Sequence, residues 1–120
     1  MMDDQQAARL AADWIESWNS HDLDRIMEHY SDEVILISPV AARILKDPAG
    51  MVRGKAAVRA YFAQGLAIYP GLKFELLDML RGLHSVVLYY CNQNSARTAE
   101  FMEIGEDGKV VCVIANYSGL

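Results

Sequence analysis

The residue with the clearest capacity for chemistry is Glu100, an acid in a long apolar stretch near the end of the chain. Strand-forming residues flank Asp107-Gly108, and this dipeptide favours a β-hairpin closed by a two-residue type I′ turn. Counting outward from such a turn pairs Ile104 with Val111. Further along the two strands, Glu100 is paired with Ala115. The sequence therefore predicts an acid in the middle of a hairpin strand.

Side chains alternate between the two faces of a strand, so one face of the hairpin contains Glu100. The other residues of that face are Thr98, Met102, Ile104, Val111, Val113, Ala115 and Tyr117. A single acid on such a face is costly unless it is hydrogen-bonded, protonated or open to a water-filled cavity. In an apolar cavity its pKa rises toward neutrality, where it can act as a general acid or base. The alternative is a structural carboxyl group bound to a tyrosine or a backbone group, or one at a wet rim.

The preceding strand offers Glu100 a hydrogen-bonding neighbour. A three-residue loop at Asn94–Ala96 places Tyr90 opposite Glu100, and in this register Asn92 also faces inward. A slip of one residue would place Tyr89 inside instead. Tyr90 can hydrogen-bond a buried acid or orient a carbonyl ligand, and plain packing with a satisfied hydroxyl is the alternative.

Several aromatic residues and one hydroxyl complete the candidate site. Trp14 and Trp18 lie one helical turn apart, and such a stripe is usually part of the core. In a fold with an internal cavity, the same side chains can also form its wall. This ambiguity applies equally to Tyr30, Tyr61, Met102 and Tyr117. Ser38 can hydrogen-bond a ligand or can simply cap the end of its strand.

Hydrophobic periodicity predicts three helices in the N-terminal half of the chain. The first covers residues 4–19. Asp22 is the N-cap of a short second helix whose apolar side ends at Tyr30. The third helix starts at Gly54 and stops at Pro70-Gly71, because proline cannot continue a helix.

Strands account for most of the remaining chain. A brief strand at Val34–Ser38 ends at Pro39, because proline cannot donate to a β-ladder. Residues 40–53 have no clear period, and we interpret them as a mobile flap. Four further strands are predicted at residues 72–80, 85–93, 97–104 and 110–117. Helices followed by antiparallel strands are typical of an α+β fold, here a single domain over residues 1–120 with its helices on one face of the sheet.

The composition excludes several classes of function. Of the 120 residues, 52% are hydrophobic and 22% are charged, which is typical of a soluble globular protein. The net charge is −5 and the basic residues are scattered, so no nucleic-acid partner is predicted. No apolar run approaches the roughly 20 residues of a membrane span, and the acidic start MMDDQQ is unlike a secretory signal. We therefore predict a cytoplasmic protein with no membrane partner.

Neither a metal site nor a cofactor is predicted. Cys91 and Cys112 are isolated within predicted strands and are interpreted as reduced thiols. The histidines, His21, His29 and His84, have no acidic or cysteine neighbours at metal-ligand spacing. The chain also has no phosphate-binding loop and no dinucleotide fingerprint.

Three segments of the sequence resemble segments of a known protein family and occur in the same order as they do there. WIESWNSHDLDRIMEHYSDEVILISPV, GMVRGKAAVRAYF and EFMEIGEDGKVVCVIANY together resemble the SnoaL-like group of the nuclear transport factor 2-like superfamily. The resemblance implies a strongly curved antiparallel (mixed) sheet wrapped around three N-terminal helices, forming a cone with an internal cavity. Members include polyketide cyclases, ketosteroid isomerases, epoxide hydrolases, dehydratases and proteins that only bind or dimerise. The resemblance thus predicts a fold more specifically than an activity.

Ketosteroid isomerases are the most informative members for comparison. Their catalytic aspartate corresponds to Ser38, which cannot exchange a proton near neutral pH. Their oxyanion-hole tyrosine corresponds to Trp14, whose indole N–H donates a hydrogen bond but is not an acid. Their second, protonated aspartate corresponds to Glu100. The resemblance therefore implies the shape of a ketosteroid isomerase without its base.

Together, the residues and the resemblance predict a pocket for a small hydrophobic molecule with one or two polar groups. Proton-transfer chemistry of the isomerase, cyclase or hydrolase kind is favoured, with Glu100 as the acid or base. The candidate ligand-binding residues are Trp14, Trp18, Tyr30, Ser38, Tyr61, Tyr90, Asn92, Met102 and Tyr117. The alternatives are a non-catalytic binding module that uses the same cavity, or a protein that acts through a dimer surface.

The opposite face of the final hairpin predicts such a dimer. It presents Phe101, Cys112, Ile114 and Asn116, and exposed apolar surface of this kind usually marks an interface. The back-to-back pairing of sheets that the resemblance implies points the same way. We expect a two-fold homodimer with Ile114 near its centre.

Overall fold

The computed structural model describes residues 2–119, in which helices and strands alternate before a run of four strands. The helices are α1 (Asp4–Ser20), α2 (Leu23–Met27), α3 (Pro39–Leu45) and α4 (Lys55–Ile68). The strands are β1 (Tyr30–Ile37), β2 (Met51–Arg53), β3 (Glu75–Arg81), β4 (Ser85–Cys91), β5 (Arg97–Ile104) and β6 (Val110–Tyr117). The α+β class is confirmed, with four helices instead of three in the described residues. None of the helices within residues 2–119 is long and apolar enough to span a membrane.

The six strands form one mixed sheet in the order β2-β1-β6-β5-β4-β3. β1 and β6 are parallel, and the other neighbouring strands are antiparallel. Register shifts interrupt the β1–β6, β3–β4 and β5–β6 pairs. Such irregularities bend a strand and increase its twist, and they therefore curve the sheet around the helices that pack on it.

The two long helices contact opposite ends of this sheet. α1 packs against β3 at one edge, whereas α4 packs against β1 and β2 at the other. The central strands β4, β5 and β6 consequently face the space between the helices. One part of that space is filled by the buried side chains of Leu88, Met102 and Val113, and the other part is the cavity that forms the candidate site.

The sequence of α1 explains both its start and its buried face. The Asp3 side chain accepts a hydrogen bond from the Gln6 backbone N–H, and the Gln6 side chain accepts one from the Asp3 N–H. This reciprocal capping box satisfies two donors that the helix itself leaves free. Ala11, Trp14 and Trp18 recur at three- and four-residue intervals and are buried. The stripe fixes both tryptophans on the side of α1 that faces the sheet.

Residues 40–53 contain a helix and a strand that the sequence analysis misses. The Ser38 hydroxyl accepts a hydrogen bond from the Val40 N–H at 3.1 Å, and Pro39 occupies the first turn of α3. A serine N-cap followed by proline favours a helix start, and the interpretation of Pro39 as only a strand end overlooks this signal. β2 follows and pairs with β1. The segment is therefore part of the framework around the cavity.

The prediction that places Tyr30 on the second helix is wrong. α2 ends at Met27, and Tyr30 is the first residue of β1, where it pairs with Val110 of β6. A helix of one turn has little stability of its own, whereas the neighbouring strand offers backbone partners. Tyr30 is fully buried as a result.

The β5–β6 hairpin is confirmed, but its turn differs from the prediction. Gly108, with a φ of +80°, occupies the left-handed position of a longer turn. Ile104 consequently pairs with Val110 instead of Val111, and a bulge follows. Val110 is fully buried, whereas Val111 does not belong to the inner face. Beyond the bulge the predicted pairs are recovered.

The β4–β5 pair also differs in register from the prediction. Its loop begins one residue earlier than Asn94–Ala96. Tyr90 is therefore opposite Thr98, and Glu100 is opposite Leu88. Since the side-chain period of a strand is two, a two-residue shift leaves every side chain on its predicted face. Tyr90 points inward, as predicted.

The outer face of β5 and β6 carries the residues of the predicted dimer surface. Phe101 and Cys112 are half-buried in the single chain, whereas Ile114 and Asn116 are exposed. Cys112 and Cys91 carry free thiols. The homodimer stays a prediction.

We predict that Gly50→Ala destabilises the fold more than Gly108→Ala does. Both glycines have positive φ values, +59° and +80°, so alanine is strained at either position. A Cβ at Gly50 would lie 2.6 Å from the Ser38 carbonyl oxygen, whereas one at Gly108 meets nothing within 4 Å. Urea unfolding should show a loss of about 1 kcal/mol for Gly108→Ala from the left-handed backbone alone, and a larger loss for Gly50→Ala. Equal losses would show that close packing of Gly50 on Ser38 does not constrain the start of α3.

Candidate functional site

A cavity of about 450 Å³ lies between the inner face of the sheet and the helices. The central strands form its floor, through Tyr90 on β4, Thr98 and Glu100 on β5, and Ala115 and Tyr117 on β6. The next inward residue of each strand belongs to the filled core instead. Helices α1, α3 and α4 supply much of the remaining wall.

Glu100 places a carboxyl group on this floor. It is 7% exposed, and its cross-strand neighbours Leu88 and Ala115 carry no charge. The Tyr90 hydroxyl donates a hydrogen bond to Oε1 of Glu100 at 2.8 Å. Burial raises the pKa of Glu100 from 4.5 to about 7, and the hydrogen bond from Tyr90 opposes part of this rise. The carboxyl group therefore has both protonation states available near neutral pH.

The partner of Glu100 stays protonated over the same range. Burial raises the pKa of Tyr90 well above its ordinary value, and the negative charge of Glu100 raises it further. Tyr90 thus donates to Oε1 whenever Glu100 is ionised. The other oxygen of Glu100, Oε2, makes no hydrogen bond to the described residues and is available to a ligand.

A cluster of aromatic rings forms the wall beside this pair. The ring centroids of Trp14 and Tyr90 are 5.5 Å apart, and those of Phe74 and Tyr90 are 4.5 Å apart. Trp14 also stacks on Phe74 at 5.9 Å. The Trp14 indole N–H donates to the Tyr30 hydroxyl at 3.0 Å. Trp14 is only 1% exposed, so the half-buried Phe74 presents most of the apolar surface here with Trp14 packed behind it, and the single donor of Trp14 is already used within the protein.

The hydroxyl groups of Ser38, Tyr61 and Tyr117 also belong to the cavity lining. Ser38 caps α3 through its oxygen, and its nearby hydroxyl lowers the pKa values of Tyr61 and Tyr117. Burial outweighs this effect, raising the pKa of Tyr61 to about 12 and that of Tyr117 still further. Both phenols are protonated at neutral pH and can donate to a ligand oxygen.

Two buried polar atoms beside the cavity have no hydrogen-bond partner. Thr98 is 1% exposed, and its Oγ1 is unpartnered among the described residues. The indole N–H of Trp18 is near the Tyr30 hydroxyl and lowers its pKa, but it lacks the geometry of a hydrogen bond. Leaving such groups unpaired costs about 1–3 kcal/mol each.

The structure brings most of the predicted site residues to one cavity. Those in its lining are Trp14, Trp18, Ser38, Tyr61, Tyr90, Asn92, Glu100 and Tyr117. Tyr30 and Met102 are fully buried in the core and do not line it. They face inward as predicted, but they lie toward the filled end of the sheet. Ligand binding by the lining residues stays a prediction.

Sequence reasoning misses the contribution of α3 and of the end of α4. Val40, Arg43 and Ile44 line the cavity from α3. Their spacing of three and four residues puts them on one helical face, so recognising the helix start at Ser38 would have revealed them. Tyr69, which follows α4, accepts a hydrogen bond from Arg43 Nη2 at 3.0 Å.

Two of the histidines outside the cavity lie next to polar groups of the protein. A ring nitrogen of His21 lies 2.8 Å from the Leu72 carbonyl oxygen, and His29 Nε2 lies 3.0 Å from an Asp13 carboxylate oxygen. Within residues 2–119, no cluster of three or more histidine, cysteine or acidic side chains could hold a metal ion.

A curved mixed sheet that encloses a cavity against its helices is the architecture of proteins related to nuclear transport factor 2. A family model of the SnoaL-like domain matches residues 11–113, and the chain belongs to the SnoaL-like family. The resemblance seen in the sequence is thereby confirmed, together with the cone-shaped fold. The family includes isomerases and cyclases. No curated protein matches the chain.

Solved structures support the same assignment. A SnoaL-like protein of unknown function from Burkholderia thailandensis E264 is 36% identical, with 98% of each chain covered and a TM-score of 0.93. SalBIII is an epoxide hydrolase/cyclase-like enzyme with a role in pyran ring formation in the polyether salinomycin. It is 20% identical, with 99% of this chain and 95% of SalBIII covered and a TM-score of 0.76. An NTF2-like protein of unknown function from Mesorhizobium loti is 21% identical, with coverages of 99% and 98% and a TM-score of 0.76. The likeness to the last two concerns the fold alone.

We predict that the burial of Glu100 makes the protein less stable as the pH rises. Between pH 4.5 and about 7 the unfolded chain has released this proton while the folded protein still holds it. The stability contribution of the neutral acid is therefore full below the unfolded pKa and is lost as the pH passes through the folded pKa. Glu100→Gln has no such proton to lose. Relative to wild type, its free energy of unfolding should increase by about 2–3 kcal/mol over this range.

Urea unfolding of both proteins at pH 4.5, 6 and 7.5 gives this difference directly. Glu103→Gln, on the exposed face of β5, is the matched control and should show little change. A difference between Glu100→Gln and wild type that stays constant with pH, or decreases, would contradict a raised pKa.

Proposed function

We propose that this protein binds a small, mostly apolar molecule in the cavity and transfers a proton to or from it through Glu100. The observation that carries the proposal is a carboxyl group on the cavity floor with a pKa of about 7. An acid that titrates near the working pH can both accept a proton from a ligand and return it. The apolar wall of Trp14 and Phe74 fits an apolar ligand body.

The arrangement assigns different tasks to the two oxygens of Glu100. Oε1 accepts the Tyr90 hydrogen bond, which holds the carboxylate in one orientation. Oε2 can then remove a proton from a carbon next to a ligand carbonyl group. The proton stays on Glu100 and can return to a different atom of the ligand, which completes an isomerisation without net change in composition. Removal of a proton leaves negative charge on the ligand oxygen.

That charge requires hydrogen-bond donors. Tyr61 and Tyr117 are protonated at neutral pH and lie in the lining together with Asn92. Donors fixed in a site with little water stabilise a developing oxyanion more strongly than water does. The indole N–H of Trp14 is engaged with Tyr30 and is not assigned to this task. The donors for the oxyanion therefore differ from the one that the resemblance to ketosteroid isomerases implies.

A non-catalytic binding protein is the second candidate. Ser38, at the position of the isomerase base, uses its oxygen to cap α3. A single carboxyl group must then act as both acid and base. A binding protein would need the cavity and the hydroxyl groups of Tyr61 and Tyr117 in its lining, but it would not need Glu100 to titrate near neutrality.

Decomposition of 5-nitrobenzisoxazole tests the proton-transfer proposal without knowledge of the natural ligand. A base removes the proton on the ring carbon, the N–O bond breaks, and a coloured cyanophenolate forms. The protein should accelerate this reaction, with a rate that rises with pH and levels off above the Glu100 pKa of about 7. Glu100→Gln should reduce the protein-dependent rate by about 100-fold, the usual contribution of a general base.

Glu103→Gln removes an acid from the outer face of the same strand and should leave the rate unchanged. A rate that survives Glu100→Gln, or one that shows no plateau with pH, would contradict proton transfer by Glu100. Saturation by the probe without acceleration would favour the binding protein instead.

A further inference from the structure

We propose that the ligand of this cavity is an amphipathic acid, whose anionic group is bound by Arg43 and Tyr69 at the mouth while a neutral carbonyl or hydroxyl group meets the floor. The inference rests on the proposed function and adds the chemical class of the ligand. It depends on the distribution of charge and of unused donors around the cavity.

The cavity lining contains two charged side chains, and their charges are of opposite sign. Among the described residues that form it, Arg43 is the only cation and Glu100 the only acid. Within residues 2–119, no carboxylate lies within 4.0 Å of the Arg43 guanidinium. Arg25, Arg59 and Arg81 form ion pairs, whereas Arg9, Arg53 and Arg97, like Arg43, form none with the described residues. What distinguishes Arg43 from the other unpaired arginines is its place in the cavity lining, where its charge can attract an external anion.

The position of Arg43 is set by α3 and α4 together. It lies with Val40 and Ile44 on the cavity side of α3, and its Nη2 donates to the Tyr69 hydroxyl at 3.0 Å. Because guanidinium has five N–H donors, four remain after this contact. The Tyr69 hydroxyl accepts from Arg43 and keeps its own proton to donate. The two side chains can therefore bind the two oxygens of one carboxylate.

The charge of Arg43 also acts inside the cavity. It lowers the pKa of Tyr61, against the larger opposing effect of burial. A positive field along this wall favours an anion near the mouth and a developing oxyanion near Tyr61. An anion at the floor is disfavoured, because ionised Glu100 would repel it.

At the floor, a neutral polar group of the ligand is favoured instead. The floor carries Glu100, whose carboxyl group can be neutral, and the protonated hydroxyl of Tyr117. The ring of Phe74, stacked on the buried Trp14, also lines the cavity and suits an apolar and preferably planar body. A ligand with a carboxylate at one end, an apolar body and a carbonyl group at the other end has one part for each of these surfaces.

Two probes with the same ring system, one with and one without a carboxylate, separate the contribution of the anionic contact from the rest of the binding. 6-Acetyl-2-naphthoate carries a ketone and a carboxylate at opposite ends, and 2-acetylnaphthalene lacks only the carboxylate. Calorimetric titration at pH 6, where Glu100 is largely protonated, should show that the acid binds wild type about tenfold more tightly, as expected for one charge-assisted contact. The preference should decrease at high salt, because the mouth is open to solvent.

Substitutions at Arg43 then test the assignment. Arg43→Gln should bring the affinity for the acid down to that for the ketone and leave the ketone unchanged, which also shows that the variant is folded. Arg43→Lys should keep part of the preference, because a lysine retains the charge but not the planar donor pair. Arg9→Gln makes the same change of net charge on the exposed face of α1 and should behave as wild type.

The outcomes distinguish failure of this inference from failure of the proposed function. Equal affinities of wild type for the two probes, or a preference that persists in Arg43→Gln, would overturn the assignment of Arg43 while leaving the cavity as a binding site. Failure of both probes to bind would overturn the proposed function and the ligand class with it. Tighter binding of the ketone than of the acid would show that the mouth rejects anions.

Discussion

The burial of one carboxyl group is the constraint on which the rest of the site depends. Glu100 lies between two uncharged neighbours on the inner face of the sheet, and loss of water raises its pKa to about 7. The Tyr90 hydroxyl offsets part of the cost, since a hydrogen bond to a charged group contributes about 1.5–3 kcal/mol. A side chain that only had to fill this position would be apolar. We interpret the carboxyl group as a compromise of stability in favour of chemistry.

The fold makes this burial compatible with access. α1 and α4 pack on opposite edges of the sheet, so the central strands are filled at one end and open at the other. Within β5 the change occurs between Met102, which is core, and Glu100, which is cavity floor. α3 then covers part of the opening and brings Arg43 to it. The cavity consequently has an apolar wall, a titratable floor and a cationic mouth.

The inner face of the final hairpin could be predicted from the sequence because strand periodicity tolerates errors of two residues. The predicted β4–β5 register differs from the observed one by two residues, yet Tyr90 still faces Glu100. The misplaced turn at Asp107-Gly108 affected only the residues next to it, since a bulge restored the pairing beyond Glu103. Periodicity indicates which face of the sheet a side chain occupies, but not whether it lies at the filled end or at the cavity end of that face. Tyr30 and Met102 share the inward face with the cavity residues and nevertheless lie in the core. Arg43 is missed for a different reason, because Pro39 is interpreted only as the end of a strand although a serine N-cap followed by proline favours the start of a helix.

The central claim is that Glu100 is a carboxyl group that gains and loses its proton near neutral pH. Carbon-detected NMR of the protein labelled with ¹³C at glutamate carboxyl groups, assigned by comparison with Glu100→Gln, follows its titration directly. We expect a resonance with a midpoint near 7, well separated from those of the exposed glutamates. A midpoint at or below 4.5 would show that Glu100 is an ordinary structural carboxylate and would contradict the proposed chemistry.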